Sequence, residues 1–175
     1  YFYKNGIILS ENYLFYENNV GKKHGLYKSF HDTGELKNEG KYLFGIKDSL
    51  WTKYFKSGEI QSKTFFLEGS GKHFSYFITG EKYEEGQYIN NKKDGKWIYF
   101  YIDGSKKKEL YYLNGKVDES IEVVYYYADG SLLSKEYIKN FNNDIINDGL
   151  YIEYYQNGQN KIRGIYKNGA KDGVW

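Results

Sequence analysis

Aromatic, apolar and polar positions recur along this chain in a fixed phase with glycine. Six segments carry the phase: Gly25 to Gly34, Ser49 to Gly58, Gly71 to Gly80, Gly95 to Gly104, Ile121 to Gly130 and Gly149 to Gly158. Take the first residue of each as position zero. Position two holds Tyr27, Trp51, His73, Trp97, Val123 and Tyr151, and a seventh, partial copy ends there at Trp175. Position five is always aromatic: Phe30, Tyr54, Tyr76, Phe100, Tyr126 and Tyr154. Position six holds His31, Phe55, Phe77, Tyr101, Tyr127 and Tyr155. Such runs of aromatic and β-branched residues over about seven positions predict a strand.

Each run ends in a dipeptide favoured by hairpins, such as Asn5-Gly6, Thr33-Gly34, Asp103-Gly104 or Asn157-Gly158. The Asn-Gly and Asp-Gly pairs predict a type I′ turn, which needs positive φ at both central residues. The Thr-Gly and Ser-Gly pairs fit that turn less well. A second strand follows and ends eight residues past the glycine, at Tyr42, Phe66, Tyr88, Tyr112, Ile138 and Tyr166. Polar connectors, for example Asn90 to Asp94, are expected to lead to the next copy as loops. The longest, Asn140 to Asp148, reads as an insertion in such a connector.

A two-residue turn places Tyr27 opposite Gly40, His73 opposite Gly86 and Tyr151 opposite Gly164. A ring lying across a cross-strand glycine covers exposed backbone. Side chains alternate between the two faces of a strand. One face therefore collects Trp51, Trp97 and Tyr151 with the strand-ending tyrosines. The other collects Glu39, Lys63, Glu85, Glu109, Lys135 and Arg163 beside Phe30, Tyr54 and Phe100. The predicted architecture is all-β: a repeat protein forming an elongated single-layer antiparallel sheet of tandem β-hairpins. Residues 1–175 are expected to form one array of about six full repeats with partial repeats at both ends, an excerpt of a longer repeat protein.

With the unit written out, Gly95-Lys96-Trp97-Ile98-Tyr99-Phe100-Tyr101-Ile102-Asp103-Gly104, followed by Tyr112-Leu113-Asn114-Gly115-Lys116, resembles a MORN repeat. It is most similar to the bacterial variant class of that repeat. Gly149 to Gly158, followed by Tyr166-Lys167-Asn168-Gly169, resembles it equally. The resemblance implies stacked hairpins and a role in protein or membrane-lipid recognition. It also implies a bacterial setting, with antitoxin-like or exported, cell-surface relatives. His73 and Val123 depart from the pattern at position two.

Composition narrows the chemistry. Lys and Arg total 25 against 23 Asp and Glu, interspersed, so no basic patch for nucleic acid is visible. No segment approaches the roughly 18 uninterrupted apolar residues of a membrane-spanning helix. There is no Cys, so neither a disulfide framework nor a thiolate metal site arises. His31 and His73 occupy ring positions and read as ring substitutes. Residues spaced one per repeat diverge along a sheet, whereas a catalytic triad must converge. No cofactor and no metal site is expected. Asp48, Asp94, Asp148 and Asp172, each just before position zero, read as turn chemistry rather than calcium ligands.

The candidate interaction surface is the set of rings Trp51, Phe55, Trp97, Tyr99, Tyr101, Tyr125, Tyr127, Tyr151 and Tyr155, since Tyr and Trp anchor interfaces. The expected function is a non-enzymatic scaffold with a protein partner. Carbohydrate or anionic-lipid binding is the alternative.

Overall fold

The computed structural model describes residues 1–117, 121–141 and 144–175. Every regular element among them is a strand: β1 (Ser10–Glu17), β2 (Val20–Phe30), β3 (Leu36–Leu43), β4 (Ile46–Tyr54), β5 (Ile60–Leu67), β6 (Ser70–Tyr76), β7 (Lys82–Ile89) and β8 (Lys92–Phe100). There follow β9 (Lys106–Leu113), β10 (Lys116–Val117), β11 (Ile121–Tyr126), β12 (Leu132–Phe141), β13 (Asp144–Tyr154), β14 (Asn160–Lys167) and β15 (Ala170–Asp172). They hydrogen-bond in chain order as one open 15-stranded sheet, with β10 lying off the main path on β9. The chain divides into two compact units, Tyr1–Lys82 with Gln87–Lys92, and Tyr83–Gly86 with Lys93–Trp175.

The glycine turns differ from the type I′ expectation. Gly34 has φ +102°, whereas Thr33 before it is not left-handed, and the same holds at every copy. The Gly34 N–H donates to His31 O at 3.0 Å, and the His31 N–H donates to Glu35 O at 2.8 Å. This is a type I turn closed by a glycine bulge, which needs positive φ at one residue only. It therefore accepts Thr, Ser, Asp or Asn before the glycine without distinction. The register slips between Ser29↔Asn38 and Phe30↔Leu36. The longer turn and the bulge offset each other, so Tyr27↔Gly40 and Tyr151↔Gly164 pair as a two-residue turn predicts.

The connectors are not loops, and the type I′ turns lie there. Asn18-Asn19 (φ 49° and 62°), Phe44-Gly45 (48° and 89°) and Asn114-Gly115 (53° and 85°) have positive φ at both central residues. Among the described residues, β2 to β8 thus have hairpin turns at both ends. The Asn140–Asp148 segment largely lengthens a hairpin: β12 reaches Phe141, β13 starts at Asp144, and those two residues pair. Asn142 and Asn143 lie outside the described residues.

Position zero is a bulge. Between the pairs Glu39↔Thr52 and Lys41↔Asp48, the single residue Gly40 faces three, Ser49, Leu50 and Trp51. Ser49 takes φ +62° there, as Gly25 takes +81°. Gly71 is different: β5 and β6 pair without a slip, and a Cβ on Gly71 would lie 1.6 Å from Phe65 O. That copy lacks the two surplus residues, which is why its turn glycines stand closest together, 22 residues apart.

In each unit the core lies on the ring-bearing face. Trp51, Phe66 and His73 are buried in the first unit, and Trp97, Tyr99, Leu110, Val123 and Ile138 in the second.

Candidate interaction surface

In the first unit, Gly40 sits beneath Trp51. A Cβ there would meet the indole Cδ2 at 2.3 Å, so only glycine lets the ring lie against the backbone. The ring covering Gly40 thus comes from the next copy, and Tyr27, expected to lie across it, packs beside Trp51 with ring centroids 5.5 Å apart. Tyr42 meets the same indole edge-on at 4.8 Å. The indole N–H donates to Lys41 O at 2.9 Å.

Lysines close the cluster. Lys47 Nζ stands 4.7 Å from the Trp51 ring, and Lys23 Nζ 4.6 Å from the Tyr27 ring. Burial, and then Lys23, pull the Lys47 ammonium below its ordinary range. Quadrupole attraction from the ring faces keeps such cations in place.

The second unit repeats the arrangement at Gly86 with Trp97 and at Gly164 with Trp175, each 2.3 Å from a notional Cβ. Lys93 lies 3.7 Å over Trp97, and Lys171 lies 4.1 Å over Trp175. Where the slot is not glycine, the covering residue changes with it. Thr64 faces His73, bonded Oγ1 to Nδ1 at 2.7 Å. Glu136 pairs with Tyr151. Leu110 and Val123 fill the remaining slot, both buried. The departures at His73 and Val123 are therefore matched substitutions of neighbours, because a packed slot conserves total volume.

Beside Trp97 the rings carry a polar network. Tyr99 is buried, its hydroxyl 3.1 Å from that of Tyr112, and Lys93 Nζ donates to the Tyr99 hydroxyl at 3.3 Å and to Glu84 at 3.0 Å. Burial first, then the bond with Tyr112, pushes the Tyr99 phenol far above its usual range. Burial and Glu136 do the same to Tyr125. These phenols stay neutral hydrogen-bonding groups under all ordinary conditions.

Position six is a column of staples. Tyr101 donates its hydroxyl to Tyr126 O at 3.2 Å, and Tyr127 donates to Tyr154 O at 3.0 Å. Tyr3 does so to Phe30 O, and His31 Nε2 stands 3.2 Å from Tyr54 O. His31 is thus a substitute for both the ring and its donor.

The nine candidate rings fall into three groups. Trp51, Trp97 and Tyr99 are buried, with Trp97 at 0 % exposure. Tyr125 and Tyr151 are half-buried beside the slots, while Tyr101 and Tyr127 are tied to neighbouring turns. Phe55 is half-buried, and only Tyr155, at 50 %, stands well exposed. Sequence reasoning missed the lysine two residues before position zero and the coupling of each slot glycine to a tryptophan eleven residues on. Both patterns are present in the letters: Gly40 with Trp51, Gly86 with Trp97, Gly164 with Trp175.

The opposite face of the first unit carries exposed apolar side chains. Leu26 pairs with Lys41 and Lys41 with Asp48, while Leu50 pairs with Phe65 and Phe65 with Lys72, so the bulge on β4 separates two short rows across β2 to β6. Leu43 pairs with Ile46 further along β3 and β4, and Leu67 lies two residues beyond Phe65 on β5. Leu26 is 66 % exposed, Phe65 54 % and Leu67 75 %.

Two of the aspartates before position zero, Asp94 and Asp148, cap turns. The Asn114 N–H donates to Asp94 Oδ2 at 3.2 Å, and the Asn168 N–H donates to Asp148 Oδ1 at 2.7 Å. Among the described residues no group of three or more His, Asp or Glu is placed to hold a metal ion. Among them, too, no helix is long and apolar enough to cross a membrane.

Hairpins in chain order with one packing motif per copy define an all-β tandem-repeat protein. The family model described as MORN repeat variant matches residues 23–43, 119–140 and 147–168, and the chain carries MORN-variant repeats at these three positions. No curated protein sequence matches the chain. Among solved structures, the crystal structure of TarM aligns with a TM-score of 0.39 and 12 % identity, over 54 % of this chain. The chain spans 20 % of the TarM chain, and a likeness of that size carries no argument about function.

Proposed function

We propose that this chain is a non-enzymatic repeat scaffold that binds a protein partner through a sheet face. The observation that carries the reading is the division of labour between the two faces of the first unit. Trp51, Phe66 and His73 are buried in internal packing, whereas Leu26, Phe65 and Leu67 stand exposed on the other face. Exposed apolar patches rimmed by polar residues mark interaction sites. MORN-variant repeats support a scaffold role of this kind.

Two other readings are weaker on the same observations. Stacking of sugars needs exposed indoles, and Trp51 and Trp97 are buried. A quaternary-ammonium cage needs an empty ring box, and Lys23, Lys47, Lys93 and Lys171 already lie over these rings. An antitoxin-like or surface-associated role rests on the resemblance alone. The test is affinity purification from the native host followed by cross-linking and mass spectrometry. A stoichiometric protein cross-linked to face lysines supports the reading. Recovery of no protein, together with binding to cell-wall fragments or turnover of a substrate, sinks it.

A further inference from the structure

The exposed face of the first unit has a definite chemistry. Leu26, Lys41 and Asp48 pair in turn across β2 to β4, Leu50, Phe65 and Lys72 across β4 to β6, and Leu43 pairs with Ile46 beside them, with Leu67 two residues beyond Phe65. Asp48 and Leu50 stand two residues apart on β4, roughly 7 Å, and the five strands span roughly 19 Å. Lys41 and Lys72 are exposed, and neither has an ion-pair partner among the described residues. Asp48 stands in register with Lys41 without closing a salt bridge to it.

At the β1 end of the Leu26 row lies a cleft of about 430 Å³, lined by Glu11, Asn12, Tyr13, Leu26 and Lys28. Leu26 belongs to both the cleft and the row. Glu11 and Lys28 pair in register at its lip.

We infer that this face of the first unit, Leu26 to Lys72 with the cleft beside Tyr13, docks an acidic amphipathic segment of a protein partner. The inference rests on the scaffold reading above and supplies the location and the partner chemistry. The partner's apolar stripe covers Leu26, Leu50, Phe65 and Leu67, with one side chain entering the cleft. Its carboxylates meet Lys41 and Lys72, which stand three strands apart, about 14 Å by strand spacing. Discrete carboxylates fit this face better than a uniformly anionic surface does. Glu11 and Glu39 stand in register with Lys28 and Asp48 with Lys41, and these carboxylates would repel a continuous sheet of negative charge, whereas a folded segment can avoid them.

The test uses the full chain and two synthetic helical peptides about 16 residues long with an identical leucine stripe, flanked by Glu in one and by Lys in the other. The acidic peptide should bind, and Leu26→Glu with Leu67→Glu should abolish binding while leaving the melting temperature unchanged, since both side chains are exposed. Lys41→Glu with Lys72→Glu should weaken the acidic peptide about tenfold and favour the basic one. Equal binding of both peptides overturns the inference, as does sedimentation with phosphatidylglycerol vesicles without peptide binding, or dimerisation through this face. A native partner that cross-links only elsewhere overturns the location and leaves the scaffold reading standing. Absence of any protein partner sinks that reading itself.

Discussion

Trp51 lies against Gly40 so closely that a Cβ on the glycine would come within 2.3 Å of the indole Cδ2. The neighbouring slot solves the same volume problem with Thr64 and His73. In each pair the size of one residue sets the size of the other.

Gly40→Ala should therefore destabilise the chain by about 1–3 kcal/mol through overpacking. Gly40→Thr combined with Trp51→His reproduces the pair found one hairpin later. The double variant should recover stability over the summed single variants by at least about 0.5 kcal/mol. Urea unfolding of the four proteins measures the coupling, and strict additivity would contradict the slot.

Trp97 and Lys96 are adjacent in sequence and opposite in consequence. Trp97 is fully buried, and Trp97→Ala should cost about 3–5 kcal/mol. Lys96 makes an ion pair with Glu109 at 2.7 Å but is largely solvated, and Lys96→Ala should cost under about 1 kcal/mol. Equal denaturation midpoints for the two variants would contradict the assigned facing.

The position-six staples predict a local effect. Tyr127→Phe keeps the ring and deletes the bond to Tyr154 O, at a cost of about 1 kcal/mol. Hydrogen exchange should accelerate around the Tyr155–Gly158 turn and remain unchanged near Gly34. Uniform acceleration across the chain would argue against a staple.

Acid should loosen the turns. The Asn168 backbone N–H, and then Lys139, hold the Asp148 carboxyl below its ordinary range. The hydroxyl of Ser105, then its backbone N–H, does so for Asp103, and Ser131 for Asp129. A carboxyl depressed in the folded state contributes stability above its unfolded value and loses it as pH falls through the folded value. Melting temperature should hold between about pH 7 and 5, then drop below about pH 4. Asp148→Asn should flatten that drop; an unchanged profile would remove Asp148 from the cause.

Much of this molecule is legible in its letters. The phase of Tyr, Trp and Gly determined strand, turn and strand again, because a period of two and a left-handed glycine are properties of the local chain. The pairing of Tyr27 with Gly40 follows from the same counting. What the letters did not show is which ring covers which glycine, since Trp51 reaches Gly40 across a bulge whose two surplus residues break the counting. Turn type escaped for a related reason: one positive φ or two depends on how the flanking strands meet, so Asp103-Gly104 has one where two were expected and Phe44-Gly45, in a connector, has two. Of the rings expected as a binding surface, Trp51, Trp97 and Tyr99 are buried in packing, whereas Tyr155 stands exposed. Burial is a property of assembled neighbours, so only the tertiary structure could show that Trp51 and Trp97 are covered while Leu26, Phe65 and Leu67 stand exposed.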